Sequence, residues 1–546
     1  VATLAATYAG TWNSLRTMSA EVSNGADVRV QLGTAVAAGH PRDVGAYAAL
    51  QGADAVAPVV QESALSGDST GSLTAVSVGE LAVSSAPEAV LDPEETAALL
   101  RPEQDPLAGM EVPEGAETLA MTVTASADSG TSGYTGSRRA VDVRLTLWDG
   151  AEILTRTDSM PTLRAEGNLG VGPGAADIEP SPDQGEPQTA DLSFDLPEGS
   201  ASWRVVAVDL LLDAAVIDTD YQVSIDSLSA GSEDLLAQVE DPWDPTTLPL
   251  RSDQATISSG DGPMALTATT TPLEIGFRTS AGVEVARFMP PGEAPELPVL
   301  VTPDWSEQVL DTGSEMTVAG TDLLVHAVGQ IPVVPGNPDT RGVLMDLPSL
   351  QEALLRQTTS ARAVSDVWLA TGEQDTLAAE AATLAGPRAE VTTAEAGAKD
   401  PVARPAQAVF WIAALCALLL ALPAVAAVAL AQASARRGEV VVLRAVGVGS
   451  ALQARTRRAE LLGLELAAVL AGALAGYGVS ALVMTDLVRA TSPQTSRAVP
   501  LDLTAHWLGG VSLLLVITAT VLAVAFWYGR RVRRQVLDTT WREEIR

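Results

Sequence analysis

Cysteine, histidine and lysine are almost missing from this chain of 546 residues: there is one Cys (Cys416), three His (His40, His326, His506) and one Lys (Lys399). A single thiol excludes an intramolecular disulfide, so any domain outside the cytoplasm must be held by its own core. The histidines lie far apart and none has a Cys or His partner at ligand spacing, which argues against a structural zinc site. No metal and no cofactor is expected. Lys399 is not immediately preceded by Gly, so the G-x-x-x-x-G-K-[ST] loop is missing and the chain is not itself a P-loop ATPase. The run VGVGS around Gly447 and Gly449 lacks the lysine such a loop needs. There is no G-x-S-x-G elbow and no Ser/His/Asp grouping, and the carboxylates are too numerous to single out a hydrolytic pair. Enzymatic activity is therefore not expected.

The chain has much negative charge, unevenly spread. Its formal net charge is −35 and its pI about 4.3, with a mean hydropathy of +0.20. From residue 401 onward there are 15 Arg and 8 acidic residues, and the preceding part holds 18 basic and 60 acidic residues. An acidic body argues against a nucleic-acid partner, because phosphates call for a basic face. An acidic surface also serves solubility alone.

Three C-terminal stretches are long and apolar enough for a bilayer, which needs roughly 20 such residues. They run from Ala408 to Ala431, from about Leu461 to Met484, and from about Leu508 to Tyr528. The second carries Glu465, a group hydrocarbon tolerates only near an interface or against other helices. It also carries Gly472 and Gly476, a small-xxx-small pair suited to close helix packing. Arginines set the orientation. Arg436, Arg437, Arg444, Arg455, Arg457 and Arg458 join the first two stretches, and Arg530, Arg531, Arg533 and Arg534 follow the third. Both segments belong in the cytoplasm by the positive-inside rule, which leaves residues before 408 outside. Residues 1–10, VATLAATYAG, are too short to span and lack a signal peptide's charged start. They read as the outer end of a first, truncated transmembrane helix that ends near Asn24-Gly25.

The external part has two textures. ADVRVQLG and LTAVSV read as strands and RDVGAYAALQGA as a helix; PVLVT, EMTVAGTDLLVHAVGQI and GVLMDL read as strands, with PSLQEALLRQT and QDTLAAEAATLAG as helices. Between them, ETLAMTVTAS, RAVDVRLTLW, TADLSFDL, SWRVVAVDLLL, DYQVSIDSLS, MALTATTT and LEIGFRTS alternate with period two, as in an antiparallel sandwich. The expected organisation is a stalk over 1–24, an α+β porter-type domain over 25–111 and 296–400, an inserted jelly-roll-like β-sandwich over 112–295, and a helical membrane bundle over 401–546. On the sandwich, Trp148 falls on the face opposite Val143 and Leu145, where it is either exposed to stack on a sugar or packed against the neighbouring domain. Asp218, Asp220 and Asp226 match no calcium-loop spacing.

The segment ARRGEVVVLRAVGVGSALQARTRRAELLGLELAAVLAGALAGYG resembles the coupling region of the FtsX/MacB-type ABC permease family. Arg436, Arg437, Glu439, Leu443, Arg444, Ala445, Gly447 and Gln453 occupy its characteristic positions. GADVRV, LPVLVT and VHAVGQIPVVPG look like the start and return of that family's external domain. The resemblance covers the chain apart from the sandwich insert, which is similar to carbohydrate-binding jelly rolls. It implies four transmembrane helices per module in the cell membrane, a dimeric cytoplasmic ABC ATPase as partner, and a second permease module. It further implies that ATP-driven closure moves an external domain, for export, extraction or mechanotransmission, without a tunnel through the helices. The residues alone support a short amphipathic helix at 440–446 lying on the inner membrane surface, with Glu439 open to a partner's basic residue and Gly447 and Gly449 turning the chain. Taken without the resemblance, they favour the plainer reading that these arginines only set topology and bind anionic lipid; with it, coupling is favoured. Two other readings are a membrane-anchored glycan-binding or adhesion protein and a regulator of a cell-wall hydrolase.

Overall fold

The computed structural model describes residues 1–33, 43–128, 138–164, 186–197, 202–214, 219–248, 255–271, 273–275, 278–280, 282–306, 314–337, 339–359, 361–398, 404–436, 439, 442–443, 445–491 and 499–537. The chain divides into two compact units, Glu21–Glu395 and the combination of Val1–Ala20 with Ala396–Arg546. Helix α1 (Ala2–Asn24) contributes residues to both.

The larger unit begins where α1 stops. The Gly25 N–H reaches back to the Glu21 carbonyl at 2.9 Å with φ at 86°, a left-handed C-cap at the expected place. Glycine is required there twice over, since a Cβ would sit 2.5 Å from the Trp368 ring. Strands β1 (Val28–Gln31), β2 (Ala55–Ser66) and β3 (Ser69–Val76) follow. The expected helix around Val44 is only a five-residue turn, Val44–Ala48. Helix α2 (Pro93–Leu100) is started by Asp92, whose carboxylate accepts from the N–H groups of Glu94 and Glu95, and by Pro93 at its first position.

The chain then leaves for the sandwich. Its principal strands are β4 (Thr118–Asp128), β5 (Val141–Trp148), β6 (Ile153–Ser159), β7 (Gln188–Asp195), β8 (Arg204–Ala214), β9 (Thr219–Ala230), β10 (Pro245–Leu248), β11 (Ala255–Ser259), β12 (Ala265–Thr270) and β13 (Gly282–Phe288). They form two sheets, ordered β7-β4-β9-β12-β11 and β10-β13-β8-β5-β6. Alternation places Leu119, Met121 and Val123 of one sheet in a common core with Val143, Leu145 and Leu210 of the other.

On its return the chain adds β14 (Leu297–Val301), β15 (Ser314–Val318), β16 (Thr321–Gln330), β17 (Gly342–Asp346), helix α3 (Leu347–Gln357), β18 (Asp366–Ala370), helix α4 (Gln374–Ala385) and β19 (Glu390–Thr393). These complete one nine-stranded sheet, ordered β15-β16-β14-β17-β3-β2-β18-β1-β19. Strands from before and after the insert interleave, with β17 parallel to β3 and β1 antiparallel to both β18 and β19. The α+β domain is thus a single sheet interrupted in sequence.

The sandwich is fixed to that domain by a buried polar lock. Arg287 of β13 is fully buried and grips Asp209 of β8 through two bonds of 2.5 and 2.8 Å. Its remaining nitrogen capacity goes to the end of α3, donating to the Leu355 carbonyl and to that of Thr358 at 2.6 Å. A guanidinium facing the carbonyls at a helix C-terminus is well placed electrostatically. Arg144 of β5 closes the network onto Asp209 at 2.6 Å. Leu107, Trp148, Val206, Met289, Leu355 and Ala361 pack an apolar seam beside it.

The other unit holds α5 (Arg404–Ala435), α6 (Ser450–Thr491) and α7 (Trp507–Leu537). Each contains a stretch long and apolar enough to cross a membrane, within Gln407–Gln432, Ser450–Ala490 and Trp507–Arg534. Most of their large apolar side chains face outward, including Leu420, Leu474, Leu482 and Leu515. The first turns of α1 pack against them. Thr7 and Ser480 share a hydrogen bond of 2.9 Å, Tyr8 meets the Phe410 ring at 4.3 Å, and the His506 N–H donates to the Ala6 carbonyl.

Candidate functional site

The segment joining α5 to α6 gathers most of the residues that sequence singles out. Glu439, Val442, Leu443 and Ala445 are helical and exposed, and the Val446 N–H donates to the Val442 carbonyl at 3.1 Å. Gly447 ends this turn with φ at 90°, and the Val448 N–H reaches back to the Leu443 carbonyl at 3.0 Å. That six-to-one bond over a left-handed glycine is a Schellman stop. Gln453 then braces the turn into α6: its side-chain amide donates to the Val448 carbonyl at 2.9 Å, and the residue is buried. Arg437 and Arg444 lie outside the described residues.

Ion pairs tie the turn to the start of α6. Arg457 pairs with Glu439 and with Glu460, the latter at 3.0 Å, and Arg436 reaches Glu460 at 3.1 Å. Glu439, which sequence offers to a partner's basic residue, is paired here with Arg457 of the same basic run while its side chain stays 55 % exposed. These pairs are exposed, and pairs of that kind contribute about 0–1 kcal/mol. Their effect is to orient the turn. What they leave outward is apolar: Val442 is 62 % exposed, Leu443 37 % and Val446 76 %. Three solvent-facing aliphatic groups on a braced turn can contact a membrane surface or a protein.

The remaining candidates separate. Gly476 lies against Thr3 of α1, whose hydroxyl would have to move to admit a side chain there, whereas Gly472 has open space around it. Only one member of the small-residue pair is at a described helix contact. Trp148 is not exposed. It is 5 % accessible and lies in the seam beside α3, because the face of β5 opposite the sandwich core is the face that docks on the α+β domain. Asp218 lies outside the described residues. Asp220 and Asp226 accept hydrogen bonds from Thr269 and Thr124 on the outer face of the sandwich, and no metal-holding group of His, Cys, Asp or Glu occurs among the described residues.

Sequence reasoning did not foresee a group of buried acids where sandwich and α+β domain meet. Burial, opposed by a hydrogen bond from Ser77 and reinforced by Asp149 and Asp346, pushes the Glu80 carboxyl up to about 7. Burial also raises Asp149 and Asp346, although N–H groups at their turns favour the charged forms. Asp346 caps α3 through the Ser349 N–H at 3.0 Å and also accepts from the Val78 N–H.

Comparison of the chain with models of known protein families and with curated proteins gave no match.

Proposed function

We propose that the chain is the membrane-spanning, non-ATPase subunit of an ABC-type machine of the FtsX/MacB kind, with its β-rich body outside the cell membrane. In this reading a dimeric cytoplasmic ATPase grips the turn between α5 and α6, and a second permease module completes the assembly. Nucleotide-driven movement passes through the helices to the external body, for export, extraction or control of an external partner.

The observation that carries the proposal is the turn at Gly447: helical residues Val442, Leu443 and Ala445 stopped by Gly447, with Glu439 held by Arg457, Gln453 bracing the turn, and Val442, Leu443 and Val446 outward. A bare topological loop needs neither the brace nor the outward aliphatic triplet. The arginines around it favour the cytoplasmic side. The glycan-binding alternative loses its aromatic platform with the burial of Trp148.

The test is purification in mild detergent from the native host, followed by an ATPase assay. A nucleotide-binding subunit is expected to co-purify, and Gly447→Pro and Val446→Asp are each expected to lower its association or turnover at least several-fold while leaving the chain's thermal midpoint within a few degrees. Purification of a folded chain with no ATPase, or full coupling in both variants, refutes the proposal.

A further inference from the structure

Helices α5, α6 and α7 surround a cavity of about 370 Å³. Leu422 and Val425 of α5, Leu464 and Ala468 of α6, and Ile517 and Val521 of α7 form its walls. One ionisable side chain is on that lining, Glu465. The residue is 5 % exposed, and neither carboxyl oxygen has a hydrogen-bond partner. The contrast with Glu439 and Glu460, each held by arginine a few turns away, marks Glu465 as the acid left without a donor. A polar group withdrawn from water with nothing donating to it costs several kcal/mol, and ionisable groups inside membrane helices mark binding or transfer sites.

The volume decides what class of occupant fits. Small-molecule cavities run from roughly 300 to 1,000 Å³, and this one lies at the lower end with walls that are almost wholly hydrocarbon. An occupant complementary to it has a slender apolar body and one cationic donor.

We propose that this cavity binds a single-chain amphiphile with an amine head, its tail between α5, α6 and α7 and its ammonium donating to the Glu465 carboxylate. The proposal rests on the three helices being membrane-embedded but not on an ATPase partner.

The experiment uses the full chain in detergent micelles, with dodecylamine as probe and dodecanol as its uncharged counterpart, followed by native mass spectrometry and thermal unfolding. One dodecylamine per chain is expected to bind saturably and raise the thermal midpoint, with dodecanol at least tenfold weaker. Glu465→Gln is expected to lose at least tenfold in amine affinity, and Asp486→Asn, an exposed acid on the same helix, to lose none. Ala468→Phe keeps the carboxyl but fills the cavity, so it is expected to abolish binding too; it decides the matter if Glu465→Gln fails to fold. Equal binding of dodecanol, amine binding unchanged in Glu465→Gln, or amine binding unchanged in Ala468→Phe overturns the proposal. Recovery of the chain in soluble form without detergent removes its membrane premise, and that result is distinguishable from loss of the amine alone.

Discussion

Arg287 joins three things that no other side chain in its neighbourhood could hold together: a buried carboxylate, a strand of the sandwich and the last carbonyls of α3. Removing one member of a buried pair leaves an uncompensated charge and costs about 3–5 kcal/mol. Arg287→Met should therefore lower the thermal midpoint of the full chain in detergent by several degrees, while Glu240→Met, at an exposed position of the same sandwich, should leave it nearly unchanged. Equal midpoints for the two variants would show that the lock carries no stability. Little of this was legible beforehand. Asp209 and Arg287 sit in alternating strands where a polar residue reads as solvent-facing, and the same pattern made Trp148 ambiguous. Period-two alternation reports two faces and not what covers the second. Gly25 was easier, since an Asn-Gly pair after a helical run announces a C-cap in the sequence itself.

At the level of elements, the junction of the 78–83 turn, the 149–152 turn and the start of α3 concentrates carboxyls that burial disfavours as anions. Glu80 has its folded value near 7 against an ordinary 4.5, so between those pH values the folded chain holds a proton that the unfolded chain has released. By linkage, its contribution favours folding below the ordinary value and is lost as pH rises through 7. The β-rich unit should accordingly unfold at a lower temperature at pH 8 than at pH 5.5. Glu80→Gln should flatten that dependence and raise the pH 8 midpoint by a few degrees, equivalent to about 1–3 kcal/mol. A pH slope identical in the variant would assign the effect elsewhere. The elements themselves were largely readable: α3, α4 and the three long apolar helices from periodicity and length, β4 and β9 from alternation. Strand β18, DVWLA, was not. It is short and buried on both faces, so it shows neither alternation nor length, and its place beside β1 and β2 comes from partners hundreds of residues earlier.

For the whole molecule, the orientation proposed for the three spans gives a direct labelling pattern. In a Cys416→Ser background, Ser232→Cys on the sandwich should react with a membrane-impermeant maleimide added to intact cells, and Ala445→Cys at the braced turn should react only after permeabilisation. The reverse pattern would invert the topology and remove the cytoplasmic grip on which the proposed coupling depends. The division into an interrupted α+β domain, a sandwich and a helical bundle followed from changes in texture along the sequence. That the sandwich would be locked onto its host, and not hung from it, depended on the face that alternation leaves undefined.

The interleaved sheet also dictates an order of events at the ribosome. Strand β3 finds its parallel neighbour β17 only after roughly 270 further residues, and β1 must wait longer still for β18 and β19. The sandwich, complete within its own stretch of chain, is free to fold first. Until then the early strands remain as open edges of the kind that invite mispairing, so slowing the synthesis of the final hundred residues of the β-rich unit should harm its yield more than an equal delay inside the insert.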